Sequence, residues 1–249
     1  MSLNNYFNIE NSNLYISPDQ ASHFAKTIAN DFNPLHDPSN RRFCVPGDLL
    51  FTVLLCHFGM SHQMKIHFSE MVGANVILQL DDKFNKAFCL NDKKGKTYLK
   101  ISRSEGLNTD QSTIEKLIRA YVGFSGQNFP DILVPLFRKY NVMINVDRPI
   151  VIYQSMAFNL KHFNFPELSI KLNKSKMAIS GKRAYVTISF EFISEENIIG
   201  SGEKKLILGG LRPYEENEVS LLTKMYQSRR NEYQLQQQKL ISDSKNIKI

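Results

Sequence analysis

The chain has 249 residues, 42% hydrophobic and 22% charged, with a formal net charge of +7 and a pI near 9.2. These are globular proportions, so a fibrous or wholly disordered chain is excluded, and the length exceeds one ordinary domain of roughly 100 to 150 residues. Two similar units are the economical expectation. Cys44, Cys56 and Cys89 are odd in number and set in apolar sequence, and residues 1–6 show no basic region followed by an apolar stretch. A reduced, cytoplasmic protein without a secretory signal is therefore expected.

In chain order, Ala21, Phe24, Ala25 and Ile28 share one face of a helix, which is expected to deliver Asp31 at its end. The run Asp31-Phe32-Asn33-Pro34-Leu35-His36 then sets a carboxylate and an imidazole five positions apart. Pro34 keeps Asn33 out of the helical region and Asn33 favours a turn, so the backbone bends between acid and base and can aim both at one point. Val45-Pro46-Gly47-Asp48 leads into residues 49–59, apolar on almost every side. That pattern predicts a buried helix over 48–59, too short for the ~20 residues of a membrane span, with Asp48 as its N-terminal cap. Strand-type runs follow at 64–68, 75–80, 86–90 and 97–101, separated by Gly73, Asp81-Asp82 and residues 91–95. A sheet wrapped round one helix is expected.

These residues carry a resemblance. The element Asp31-x-Asn33-Pro34-x-His36 after a short helix, followed by the Pro46-Gly47 step into a buried helix and the turn Met71-Val72-Gly73-Ala74-Asn75, is similar to the hot-dog fold. Within it, the pattern resembles the (R)-specific enoyl-CoA hydratases and MaoC-like dehydratases, over roughly residues 15–102. The glycine usual before the acid is Asn30 here, the loop from His36 to Pro46 is short, and Asp48 stands where that family tends to be apolar. Residues 42–51 are also similar to an uncharacterised bacterial family, which implies no activity. The resemblance implies hydration of a trans-2-enoyl thioester or dehydration of an (R)-3-hydroxyacyl thioester, with Asp31 and His36 as the catalytic acid/base pair. Asn33 would hold the loop, and Val45 and Gly47 would bind substrate, the Gly47 N–H meeting the enolate oxygen. Coenzyme A or an acyl carrier would enter as part of the substrate, with no other cofactor and no metal.

The second half repeats the order helix, turn, helix, strands. Residues 113–122 read as an amphipathic helix opening on a capping-box-like Ser112 and Glu115, residues 123–128 take the place of the acid/base turn, and residues 130–140 take that of the buried helix, kinked at Pro135. Strand-type runs follow at 150–158, 168–172, 184–193 and 204–208. The expected architecture is α+β, a double hot-dog of two units, each an antiparallel sheet wrapped round a central helix. The N-terminal unit spans 1–110, a degenerate C-terminal unit without the acid and histidine spans 111–211, and a helical, partly loose tail spans 212–249. The tail is the segment through which a homodimer could form.

Other patterns point elsewhere with less force. His57, His62 and His67 recur every five residues, which turns them to different sides on a helix or a strand, so no metal site is expected. Cys44 has no neighbouring base and no phosphate loop or dinucleotide glycine fingerprint occurs. Residues 83–105 hold seven basic against two acidic residues, and residues 161–183 hold six against one. Such clusters suit steering of an anionic carrier, or a solvated surface, better than nucleic-acid recognition, for which no motif is present. Two rival functions follow: a non-catalytic acyl-thioester or lipid-binding protein, and a nucleic-acid-associated or structural module.

Overall fold

A computed structural model describes residues 2–80 and 85–246. The hairpin of β1 (Asn8–Glu10) and β2 (Asn13–Tyr15) turns through Asn11 and Ser12, both at positive φ. Ser17 then opens α1 (Pro18–Thr27) through a reciprocal capping box with Gln20, and Pro18 takes the first helical position, where its missing N–H costs nothing. The apolar helix expected at 48–59 is α2 (Gly47–Phe58), with Leu49, Phe51, Val53, Leu54 and Leu55 fully buried. After β3 (Met60–Ser61), the four predicted strands are β4 (Gln63–Phe68), β5 (Ile77–Gln79), β6 (Ala87–Asp92) and β7 (Thr97–Arg103), followed by β8 (Leu107–Asn108). The predicted break at Asp81-Asp82 lies outside the described residues.

The next helix, α3 (Gln111–Gly126), differs from expectation at both ends. Its cap is Asp110, whose carboxylate accepts the Thr113 N–H at 2.8 Å; Ser112 already lies inside the first turn. At the other end the helix runs on through residues 123–126, so the glycines and serine expected to form a turn are its last turn instead. Helix α4 (Leu133–Tyr140) follows directly on a π-helical turn over Asn128–Ile132, in which Phe129 is extended, and Pro135 lies two residues into α4. The chain continues through β9 (Val142–Met143), β10 (Ile150–Leu160), β11 (Ser169–Ser180), β12 (Arg183–Ser194), β13 (Asn197–Gly209), β14 (Arg212–Pro213) and α5 (Glu216–Asn246).

The fold is mixed α+β around a ten-stranded antiparallel sheet ordered β1-β2-β5-β6-β7-β4-β10-β13-β12-β11. Its two halves join where β4 pairs with β10, Ile66 opposite Met156. Outward from that join the order is β4-β7-β6-β5 on one side and β10-β13-β12-β11 on the other, so the chain winds the same way in each half. Both predicted central helices lie against the sheet. α2 shares one core with Met64, Ile66, Leu99 and Ile101, and α3 sinks Ile114, Leu117, Ile118 and Tyr121 into the same core. α4 buries only Leu133, Leu136 and Phe137, against Val186, Ile188, Leu206 and Leu208. α2 is thus buried along its length except at Gly47, Cys56 and His57, which are partly exposed, and α4 covers the sheet with one face. None of the described helices is long and apolar enough to cross a membrane.

Candidate active site

The helix does not itself deliver Asp31, which comes four residues after the end of α1. Asn30 takes the left-handed conformation, φ +53°, and the Asp31 N–H returns to the Ala25 carbonyl at 2.8 Å. Asparagine is among the few residues that adopt this conformation at low cost, so Asn30 does the conformational work of a glycine. Asp31 Oδ1 then accepts the Asn33 N–H at 2.9 Å, and Asn33 Oδ1 accepts the Leu35 N–H at 3.1 Å. These two nested turns hold Pro34–His36 in a single 3₁₀ turn. They bring His36 Nε2 to 3.6 Å from Asp31 Oδ2, while His36 Nδ1–H donates to the Cys44 carbonyl at 2.7 Å. The imidazole is therefore oriented from both sides.

The electrostatics follow from that geometry. Burial pulls the His36 pKa down, but the acceptors Asp31 and Cys44 outweigh it and raise the pKa from 6.5 to about 10. For Asp31, burial acts upward and is overcome by His36, the Asn33 N–H and Tyr226, so its carboxyl is held below the usual range. The resting pair is a carboxylate and an imidazolium. Because the folded His36 pKa exceeds the unfolded value, its stabilisation is complete below about pH 6.5 and is lost as pH rises to about 10. Asp31, with a lowered pKa, contributes above the ordinary 3.8 and loses that contribution as pH falls through its folded value. The stability advantage of the wild type over His36→Gln should shrink between pH 6.5 and 10 in urea unfolding; a constant difference across that interval would contradict the ion pair.

The tail takes part in the site, which its sequence did not suggest. Tyr226 of α5 accepts the Phe32 N–H at 3.0 Å and donates to Asp31 Oδ1 at 3.1 Å. Arg229 donates to the Phe32 carbonyl at 3.2 Å and pairs with Asp37, which also meets Lys26 at 3.1 Å. Removing the hydroxyl in Tyr226→Phe leaves the Phe32 N–H without its acceptor and Asp31 without one donor. A loss of about 1 to 2 kcal/mol is expected, together with a rise in the Asp31 pKa measurable by NMR titration. Unchanged stability and titration would show that α5 does not hold the turn.

A second polar group lies beside the pair. Asp48 is not a helix cap: Pro46 occupies that position, and Asp48 turns inward, where its Oδ2 accepts from Ser125 Oγ at 2.6 Å. Lys204 of β13 donates to Ser125 Oγ and lies over the Tyr153 ring, 4.2 Å from its centroid. Burial raises the Asp48 pKa against the opposing effects of Lys204 and Ser125, and lowers that of Lys204 against the opposing effects of Asp48 and Asp31. Gly47 is required by close packing, since a Cβ there would sit 2.3 Å from the Tyr153 ring. The Gly47 and Asp48 N–H groups precede any intrahelical acceptor, whereas those of Leu49 and Leu50 return to the Pro46 carbonyl.

Asp31, Asn33, His36, Val45 and Gly47, the five residues singled out in the sequence, line one cavity of about 370 Å³. Asp48, Ser125, Lys204 and Tyr226 line it too, so both halves of the chain and the tail build it. The Asp31 side chain is 26% exposed, enough for a ligand in the cavity to reach its carboxylate. Val45 contributes a buried side chain, and its N–H is spent on the Val72 carbonyl at 2.8 Å. The histidines of the five-residue repeat lie elsewhere; His62 stacks on Phe163 and bonds the Leu160 carbonyl. No cluster of three metal-ligating side chains occurs among the described residues. Of the first basic cluster, Lys83 lies outside the described residues, while Lys86 pairs with Glu105 at 2.5 Å and Lys96 with Glu70 at 3.2 Å.

The family described as "Protein of unknown function (DUF3581)" matches residues 1–217, a span that ends before Tyr226 and Arg229. No curated protein matches the chain significantly. Among solved structures, the chain is similar to an acyl-CoA thioesterase II from Mycobacterium marinum, with a TM-score of 0.43, 9% identity, and coverage of 87% of this chain and 99% of that one. It is also similar to an acyl-ACP thioesterase from Bacteroides thetaiotaomicron, with a TM-score of 0.39, 12% identity, and coverage of 83% and 100%. A third is a bifunctional dehydratase-cyclase domain of ambruticin biosynthesis, with a TM-score of 0.38, 7% identity, and coverage of 85% and 94%. Likenesses of this degree assign neither an activity nor a substrate.

Proposed function

The chain belongs to that family, whose description names no activity, and we propose from the site itself that it hydrates trans-2-enoyl thioesters, or dehydrates (R)-3-hydroxyacyl thioesters. The observation that carries this reading is the Asp31–His36 ion pair, held by the Asn33 N–H, the Tyr226 hydroxyl and the Cys44 carbonyl and facing a cavity of ligand size. The motif's resemblance to the MaoC-like hydratases supplies the reaction. The repeated strand order supports the companion reading of two hot-dog units, 1–110 and 111–211, with a tail over 212–249.

In the hydration direction the Asp31 carboxylate takes a proton from water as the water oxygen bonds to C3. The C2=C3 electron pair moves onto the thioester carbonyl as an enolate, and the His36 imidazolium delivers a proton to C2 as the enolate collapses. Asp31 then returns its proton to His36 across their short separation, so water supplies every atom added and the pair is reset. Each positioned acid or base is worth roughly 10² to 10⁴ in rate. The unbonded N–H groups at the start of α2 meet the enolate oxygen, where the helix end favours negative charge. This chemistry is redox-neutral and calls for nothing beyond the coenzyme A or acyl-carrier portion of the substrate. Exposed lysines such as Lys171 and Lys174 on β11 would draw in that anionic portion.

The test is loss of enoyl absorbance when the purified protein meets short-, medium- and long-chain enoyl-CoA. Hydration of at least one is expected. Binding of acyl-CoA with no hydration at any chain length would replace the enzyme by an acyl-thioester-binding protein.

A further inference from the structure

The cavity has a polar end that hydration does not use. Asp48 comes from α2, Ser125 from the end of α3 and Lys204 from β13, and the three are linked through the Ser125 hydroxyl. Their charges cancel, yet two acceptors among the residues that line the cavity are left over, one of them on Asp48 itself and the other three residues after Ser125. Asp48 Oδ1 and Asn128 Oδ1 are buried without a hydrogen-bond partner, in residues only 7% and 8% exposed that line the cavity. A network with a purely structural task is expected to satisfy its buried acceptors, because an unpaired one in a low-dielectric interior is costly. A donor from outside the protein, whether water or a ligand group, would satisfy each of these oxygens. Lys204 adds the opposite need: its ammonium has three N–H groups, of which Ser125 takes one.

We propose that the Asp48–Asn128–Lys204 end of the cavity binds a hydroxyl or amide group carried by an otherwise apolar ligand. Such a group accepts from Lys204 and donates to Asp48 Oδ1 or Asn128 Oδ1. An ester accepts but cannot donate, and a hydrocarbon does neither. Leu133, Ile144 and Leu206 line the same cavity and suit the apolar part. The assignment rests on the acyl-thioester reading for the identity of the ligand: the substrate would carry a polar group distinct from its reacting carbons, on the acyl chain or on the pantetheine arm.

The experiment is calorimetric titration of the full chain with octanamide, 1-octanol, methyl octanoate and octanoyl-CoA. Octanamide and 1-octanol should bind at least roughly tenfold more tightly than methyl octanoate, the worth of one hydrogen bond to a charged partner. That preference should vanish in the double variant Asp48→Leu/Lys204→Met, which removes both charges together and so strands neither one, at the cost of both partners of the Ser125 hydroxyl. Asn128→Leu, which leaves the charges intact, should reduce it as well and serves if the double variant does not fold. Equal affinity for the three small ligands, binding of none of them, or a preference that survives in the variants would overturn the subsite. If octanoyl-CoA fails to bind while the preference for amide and alcohol holds, the thioester reading falls and the subsite stands.

Discussion

Asp31→Asn should lower the turnover of enoyl-thioester hydration by about 10²-fold or more, and His36→Ala by a similar factor, with acyl-CoA affinity nearly unchanged. The asparagine keeps an Oδ1 for the Asn33 N–H and the Tyr226 hydroxyl, so the nested turns survive, while the base facing the water is gone. Loss of the carboxylate also removes the main support for the raised His36 pKa, and the imidazole should titrate well below its wild-type value of about 10. His36→Ala instead deprives the Cys44 carbonyl of its donor and should cost more stability than Asp31→Asn. Because the two residues exchange one proton, the double variant should be hardly slower than either single one. Measuring kcat, acyl-CoA affinity and Tm on the three variants separates the outcomes. Should the variants lose stability while the wild type hydrates nothing, the motif serves as a turn-forming scaffold and the enzyme reading fails.

What the sequence made legible was local. The Asp31–His36 pair is written within six residues, with a proline and an asparagine to fold it, and α2 is written as an uninterrupted apolar run. The partners of the two cavity acids were hidden by distance along the chain: Tyr226 lies 195 positions from Asp31, and Ser125 lies 77 from Asp48. A signal for Lys204 was nevertheless present. It shares strand parity with the buried Leu206 and Leu208, so the lysine occupies an inward-facing position, where burial demands a partner. Tyr226 likewise continues the apolar edge of Val219 and Leu222 at helical spacing. Asp48 was misread because an acid at the start of a helix usually serves the dipole; here Pro46 is the cap, and the second residue of α2 turns into the cavity. The second half was read as having lost its site because it lacks the acid and histidine. It supplies Ser125, Tyr153 and Lys204 to the cavity of the first half instead.

The largest effect on folding is expected at Gly126, where the end of α3 meets the end of α1. A Cβ there would lie 1.6 Å from the Ala29 carbonyl oxygen and 2.6 Å from its carbon, both backbone atoms that no rotamer change can move. Gly126→Ala must therefore push the two segments apart by about 1.5 Å, a displacement that overpacked cores resist at a cost of about 3 kcal/mol. For a chain of this size that corresponds to a fall in Tm of roughly 6 to 12 °C. The damage should extend to the site, because Ala29 is two residues before Asp31 and Ser125 carries the link between Asp48 and Lys204. Gly123 provides the control on the same helix: nothing lies within 4 Å of its absent Cβ. Gly123→Ala should be neutral or stabilise by up to about 1 kcal/mol, since alanine is the better helix former. Thermal unfolding of the two variants reads the contrast directly, and equal Tm values would mean that the close approach of α3 to Ala29 does not hold the cavity together.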